Sequence, residues 1–184
     1  MAQYGAKELA DGFRTVRRNT IQIAEDIPED KYDFEAAEGV QSVGELLAHL
    51  VFSPMMYEEL HGTTPITTLK GFDFAAAVGR SAALEKKPRN KAEIIALLTS
   101  EGERFASWLQ SLSPEFLAET YTDHAGQNPH TRLENLLSPK EHEMHHRGQL
   151  MLIERMLGIV PHLTRQRQAL AQANRATASA TQPA

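Results

Sequence analysis

Apolar residues recur at helical spacing over four long stretches of the chain. Between Ala6 and Asp26, the residues Leu9, Phe13, Val16, Thr20, Ile23 and Ile27 follow one another in steps of four and three, the inward stripe of a bundle helix. Pro28 stops this helix, and residues 29–39 form a connection. The second helix opens on Ser42 with Glu45 three residues later, a capping box in which each side chain serves the other residue's backbone N–H. Its stripe is Leu46, Leu50 and Val51, continuing to Met55 and Leu60, and Pro54 is predicted to kink or shorten it. His49 falls on the side predicted to be buried. Residues 62–88 form a connection rich in Thr, Gly and Ala, with a short helix predicted over 75–84. A link of this length implies a crossover between helices that are not hairpin partners.

The third helix is predicted from Asn90, with Glu93 three residues on and a stripe of Ile94, Leu98, Phe105, Trp108 and Leu112 that also carries Glu101. Residues 113–130 read as irregular, with Gly126 and Asn128-Pro129 as turn signals. The fourth element is predicted in two pieces. A short helix spans Thr131 to Leu137, and a longer one starts at Pro139 with Ser138 as its cap. The stripe of the longer piece is His142, His146, Gln149, Ile153 and Met156. Gly158 ends it and Pro161 prevents its continuation. Beyond Thr164 the chain turns polar, with one or two helical turns expected over 165–170 and a mobile tail over 171–184. The fold predicted is all-α: a four-helix bundle with a long crossover between helices 2 and 3. The bundle domain spans residues 1–164 and a polar extension 165–184. No strand and no internal repeat is predicted.

Composition narrows the chemistry. A net charge of −5 over 184 residues argues against nucleic-acid binding, which needs a basic face, and Arg165, Arg167 and Arg175 are too sparse to supply one. No run is long and apolar enough to span a membrane, and the N-terminus has no apolar signal core, so a cytoplasmic protein without membrane partners is expected. There is no cysteine, so any metal must be held by His, Asp or Glu.

Three of the eight histidines fall within Glu141-His142-Glu143-Met144-His145-His146-Arg147-Gly148-Gln149. His142 and His146, four apart, project from one helical face as half of a metal site. His49 is the best third ligand, being the other histidine on an apolar helical face. The string His142-Glu143-Met144-His145-His146 also spells H-E-x-x-H, the zinc-protease motif with Glu as general base. Its context is wrong for a protease. Gln149 and Leu152 stand where the extended form needs Gly and His, and the acid that follows, Glu154, lies on the same helix. Gln149, one turn from His146, either orients a bound water or substrate or makes a structural bond to the crossover. His145 reads as a surface or supporting residue. Arg147 either pairs with Glu143 or binds an anionic thiol. Glu101 either accepts from a ligating imidazole or lies at the helix edge, and Tyr57 is a weak candidate for the pocket wall.

The run His142, His146, Arg147, Gly148, Gln149, Leu150 resembles the signature of the DinB-like metal-binding four-helix bundles. Residues 42–50 resemble that family's second-helix segment, and residues 157–161 its exit from the last helix. The resemblance covers about residues 6–161. It implies a divalent metal, zinc or nickel foremost, with iron, manganese or cobalt as other options. The metal would be held by His49, His142 and His146 with water completing the shell. It also implies frequent homodimers and a small-molecule substrate, and relatives of this kind include transferases and isomerases that use low-molecular-weight thiols. Three neutral imidazoles leave open positions on a metal, the pattern of a catalytic site. Three functions are therefore expected as alternatives: activation of a small thiol for transfer, hydrolysis by an activated water, or a non-enzymatic metal clip or stress sensor.

Overall fold

Helix α1 (Ala6–Asp26) buries the stripe its spacing predicts: Leu9, Phe13, Val16, Thr20 and Ile23, with Ile27 buried just past its end. The computed structural model describes the backbone of residues 4–62 and 66–180 and side chains through residue 175. A 3-10 turn (Glu29–Lys31) and a loop lead to α2 (Val43–Phe52). The Ser42–Glu45 box sets the start of α2, with Glu45 N–H donating to Ser42 Oγ at 3.3 Å and Ser42 N–H to Glu45 Oε2 at 2.8 Å. Pro54 shortens this helix, and the chain restarts as α3 (Met55–His61). Helix α4 (Phe74–Glu85) lies in the crossover, one residue longer at each end than the sequence pattern predicts. Helix α5 (Lys91–Ser111) begins on the Asn90–Glu93 box. There follow α6 (Pro114–Ala118), a two-residue hairpin of β1 (Thr120–Tyr121) and β2 (His130–Thr131), α7 (Arg132–Met156) and α8 (His162–Ala180).

Helix α1 packs on α5 and α7, and α2 packs on α4, α5 and α7. Helices α1, α2, α5 and α7 thus form a four-helix bundle, with α3 and α4 carried in the crossover between its second and third members. Among the described residues, no helix is long and apolar enough to cross a membrane.

Four features differ from the sequence reading. Helix α7 is continuous, with Pro139 inside it. It starts on a third capping box, Thr131 N–H to Glu134 Oε2 at 2.7 Å and Glu134 N–H to Thr131 Oγ1 at 3.1 Å. Its first turns are clamped by buried Arg132, which donates to His61 Nδ1 at 3.0 Å and Glu119 Oε2 at 3.0 Å, while His61 Nε2 donates to Asn135 Oδ1 at 2.7 Å. Those contacts anchor the turns that precede Pro139, which has no N–H to give the helix. Second, the buried line on α7 runs through Leu136, Glu143, Leu150, Ile153 and Glu154, while Met156 is 51% exposed. Third, residues 120–131 hold the short hairpin, too brief for alternation to reveal. Fourth, α8 runs to Ala180, further than the one or two turns expected; residues 181–184 of the expected tail lie outside the described residues.

The core has two apolar clusters. One gathers Ile23, Ile27, Leu47, Leu50, Leu98 and Leu150, and the other Leu9, Phe13, Phe105, Leu109 and Leu136. On α1, α5 and α7 the boundary between them falls at Arg17, Gly102 and Glu143. Arg17 and Glu143 are 3% and 2% exposed and pair at 2.9–3.1 Å. The guanidinium also donates to Leu98 O at 3.1 Å and Leu50 O at 2.7 Å, so one side chain joins α1 to α5, α2 and α7. Gly102 makes room for it: a Cβ there would lie 2.8 Å from Arg17 Cγ.

A second buried carboxylate, Glu154, is fully buried and neither of its oxygens has a hydrogen-bond partner. Burial foremost, then the charge of Asp26, pushes its pKa up to about 7, against the opposing pull of Arg165 and Arg155. The folded state therefore binds this proton more tightly than the unfolded chain does. Stability from this group is full below its ordinary value of 4.5 and is lost as pH rises through about 7.

Removing Glu143 strands a buried guanidinium, so Glu143→Ala is expected to lose about 3–5 kcal/mol in urea unfolding. Gly102→Ala is expected to lose about 1–3 kcal/mol by overpacking Arg17, whereas Gly79→Ala on α4, where a Cβ meets nothing within 4 Å, gains roughly 0.5–1 kcal/mol. Glu154→Gln is expected to raise the melting temperature at pH 8 and to leave no gain at pH 4.5; an equal gain at both pH values would show that ionisation is not the cause.

Candidate metal centre

Helix α2 presents His49 two turns after its cap, and α7 presents His142 and His146 one turn apart. The three rings meet edge to face with centroids 5.0, 5.1 and 4.5 Å apart. Their Nε2 atoms converge. His142 Nε2 lies 3.2 Å from His49 Nε2 and 3.1 Å from His146 Nε2. His49, His142 and His146 form the cluster able to hold a metal ion among the described residues, and each is half-buried.

The opposite edges of two rings are held by neighbours. Glu85, at the last turn of α4, has Oε1 3.2 Å from His49 Nδ1, and Gln149 Oε1 lies 2.7 Å from His146 Nδ1. Both oxygens accept, so each Nδ1 carries the ring proton and each Nε2 is left as a bare lone pair. His142 Nε2, facing both, has at most one proton to give, so the three nitrogens cannot satisfy one another by hydrogen bonding. A cation would satisfy all three. Nitrogens about 2.0–2.1 Å from a tetrahedral ion sit roughly 3.3 Å apart, close to the separations found. Burial foremost, then the neighbouring imidazoles, pushes the His142 pKa down to about 4. Burial also lowers that of His146, against the pull of Gln149. Both rings are therefore neutral at neutral pH, the form that ligates a metal. The donor set thus fits a divalent ion.

The other candidate residues are dispersed. Gln149 is exposed and bonds His146 rather than the crossover. His145 is exposed, with its Nε2 3.4 Å from Gln149 Nε2. Glu101 pairs with Arg104, which also binds Glu58, and so takes no part in the cluster. Arg147 makes no pair with Glu143; its Nε is buried without a partner. Tyr57 packs on the core around Phe13 and Phe105. Glu143 faces the core and is bonded to Arg17, so it is not available as the general base that the H-E-x-x-H string suggests. Sequence reasoning missed Glu85 as a partner of His49; it lies 36 residues away on a helix with no motif of its own.

One hollow reaches the cluster and a second lies beside Glu85, the partner of His49. One, of about 460 Å³, lies between the loop 36–41, α2 and α7 and reaches His146 and Gln149. The other, of about 340 Å³, lies beside Ala48 and Glu85.

The fold has solved counterparts. A DinB-like protein from Bacillus subtilis is 22% identical, with a TM-score of 0.60 over 82% of this chain and 92% of that one. YfiT from Bacillus subtilis, described as a probable metal-dependent hydrolase with an unusual four-helix bundle topology, is 18% identical, with a TM-score of 0.65 over 86% and 91%. A mutant of the mycothiol-dependent maleylpyruvate isomerase is 13% identical, with a TM-score of 0.60 over 82% of this chain; the match spans 63% of that protein. These likenesses establish the bundle topology. A comparison with curated proteins gave no match. The DinB superfamily matches residues 13–150, which run from the first turns of α1 through His49 to the histidine pair of α7, and the chain belongs to that superfamily.

Proposed function

We propose that this protein is a metal-dependent enzyme that activates a low-molecular-weight thiol and transfers it to a small electrophilic substrate. The observation that carries the reading is the convergence of three Nε2 atoms, that of His142 lying 3.1–3.2 Å from the other two, with the His49 and His146 rings fixed from behind by Glu85 and Gln149. His49, His142 and His146 would hold the ion; imidazole suits zinc, nickel and iron among others, and the family resemblance favours zinc or nickel. A divalent ion in such a set keeps its full charge and open positions, and lowers the pKa of a thiol or water placed on it.

The chain's own residues supply positioning. Glu85 and Gln149 keep two ring protons on Nδ1 and so keep Nε2 free. Arg17 and Glu143 tie the backbone beside His49 and His142 to one guanidinium, which sets the distance between α2 and α7 at the site. The mycothiol-dependent neighbour supports the thiol. The description of YfiT supports a second reading, hydrolysis by an activated water, which is told apart by whether turnover needs a thiol. The reading includes a homodimer, for which exposed Met144, Met156 and Val160 offer apolar surface.

Metal per chain, measured by mass spectrometry on protein purified without chelator or nickel resin, is expected near one in wild type and near zero in His49→Ala. Thiol-dependent turnover should vanish with it. Turnover surviving in metal-free protein would falsify the reading. Glu85→Ala and Gln149→Ala are each expected to weaken the metal about 10–100-fold in chelator competition, with the melting temperature of the metal-free protein little changed. A drop in that temperature comparable to Glu143→Ala would instead make them structural.

A further inference from the structure

The two hollows beside the histidines differ in kind. That on the His146 side is floored by Leu46 and Ile153, both buried, and walled by Val40 and Leu152, which are 45% and 59% exposed. No residue lining it carries an ionised side chain other than, when protonated, His146 itself. Its polar groups are the amides of Gln41 and Gln149 and the ring of His146. Gly39, at φ +78°, turns the chain so that Val40 closes the outer wall, a conformation that a side chain would strain. A volume of about 460 Å³ falls in the range of small-molecule sites, which combine apolar walls with a few polar groups at the reacting end.

The hollow beside Glu85 is the reverse. Its walls include Asp33, Glu45, Glu85, Lys86, Lys87 and Arg89. An apolar molecule settling there would strip water from charges it cannot pair. A small cleft lined by Gln41, Glu45, Ala82, Glu85 and Lys86 lies between them, sharing Gln41 with the first hollow and Glu45, Glu85 and Lys86 with the second.

We propose that the hollow between the loop 36–41, α2 and α7 receives the electrophilic co-substrate, and that this co-substrate is uncharged and carries a compact hydrocarbon or aryl group. This rests on the thiol-transfer reading. The polar thiol approaches from the charged side. Its sulfur bonds to the substrate carbon held beside His146, the leaving group departs with its electron pair, and the thiol proton passes to solvent. Val40 and Leu152 set the preference by their apolar surface, and an ionised group laid against these walls is disfavoured because they carry no counter-charge.

The test needs no turnover. 4-Nitrotoluene and its charged counterpart 4-nitrobenzoate are titrated into full-length, isotope-labelled protein, metal-free and zinc-loaded, with backbone amide shifts followed by NMR. The expected result is that 4-nitrotoluene shifts Gln41, Leu46, Gln149 and Ile153 in both forms and, in the metal-free protein, binds at least tenfold more tightly than 4-nitrobenzoate. Leu152→Glu and Val40→Asp, at exposed positions, should each weaken it at least tenfold with melting temperature and metal content unchanged. Equal binding of both probes, shifts centred on Lys86 to Arg89, or wild-type affinity in both variants overturns the proposal. Selective binding without thiol-dependent turnover would leave this hollow standing and remove the transfer reading. Thiol-dependent turnover with no selective binding would do the opposite.

Discussion

The arrangement of the bundle depends on one guanidinium. Arg17 lies where the two apolar clusters meet, and it reaches a carboxylate on α7 and carbonyls on α2 and α5. Bringing two charges out of water costs several kcal/mol each, and their attraction offsets this only where the remaining donors are also satisfied. Here three guanidinium nitrogens all have acceptors. The consequence is geometric more than energetic. An apolar layer at the same level would let helices slide past one another by a methylene at little cost, whereas a guanidinium on one helix bonded to three others has one register that satisfies it. Gly102 is the counterpart: it gives up helix propensity so that α5 can approach the side chain.

That register is passed directly to the site. Leu50, whose carbonyl Arg17 binds, follows His49, and Glu143 follows His142. The histidines therefore sit on the outer flank of the same polar layer, half-buried, where burial keeps His142 and His146 neutral and the cluster stays open to a small molecule. Two helices that do not touch Arg17 in this way could carry the same histidines and fail to bring their nitrogens within 3.2 Å of each other.

Local signals in the sequence were the legible ones. The boxes at Ser42–Glu45 and Asn90–Glu93 start helices where each side chain meets a backbone three residues away. Thr131–Glu134 is the same signal and marks the true start of α7; Ser138-Pro139 resembled a start only because local reading cannot see Arg132 and His61 clamping the turns before it. His142 and His146 were legible as a pair because four residues is one helical turn. Spacing could not show which neighbour faces inward: Glu143, one residue from His142, takes the buried line because Arg17, 126 residues away, waits there. Met156 fell out of the stripe, since the buried face at that end of α7 is Ile153 and Glu154. Glu85 reaches His49 through tertiary packing of the crossover and has no local signature.

The fate of Glu143 also bears on which nucleophile suits the site. A metallohydrolase of the H-E-x-x-H kind uses that carboxylate to take a proton from water. In this bundle it is ion-paired in the core, and Glu85, the carboxylate that does reach the cluster, is already the acceptor for the His49 ring. A water must fall from a pKa of about 15.7 to become a nucleophile, and a thiol only from about 8.5. A positive centre can bring either near neutral pH, but the thiol needs by far the smaller shift. An arrangement that commits its nearby carboxylates to holding helices and rings in place is therefore better matched to a substrate that gives up its proton readily, and that match is the physical argument for a thiol over water.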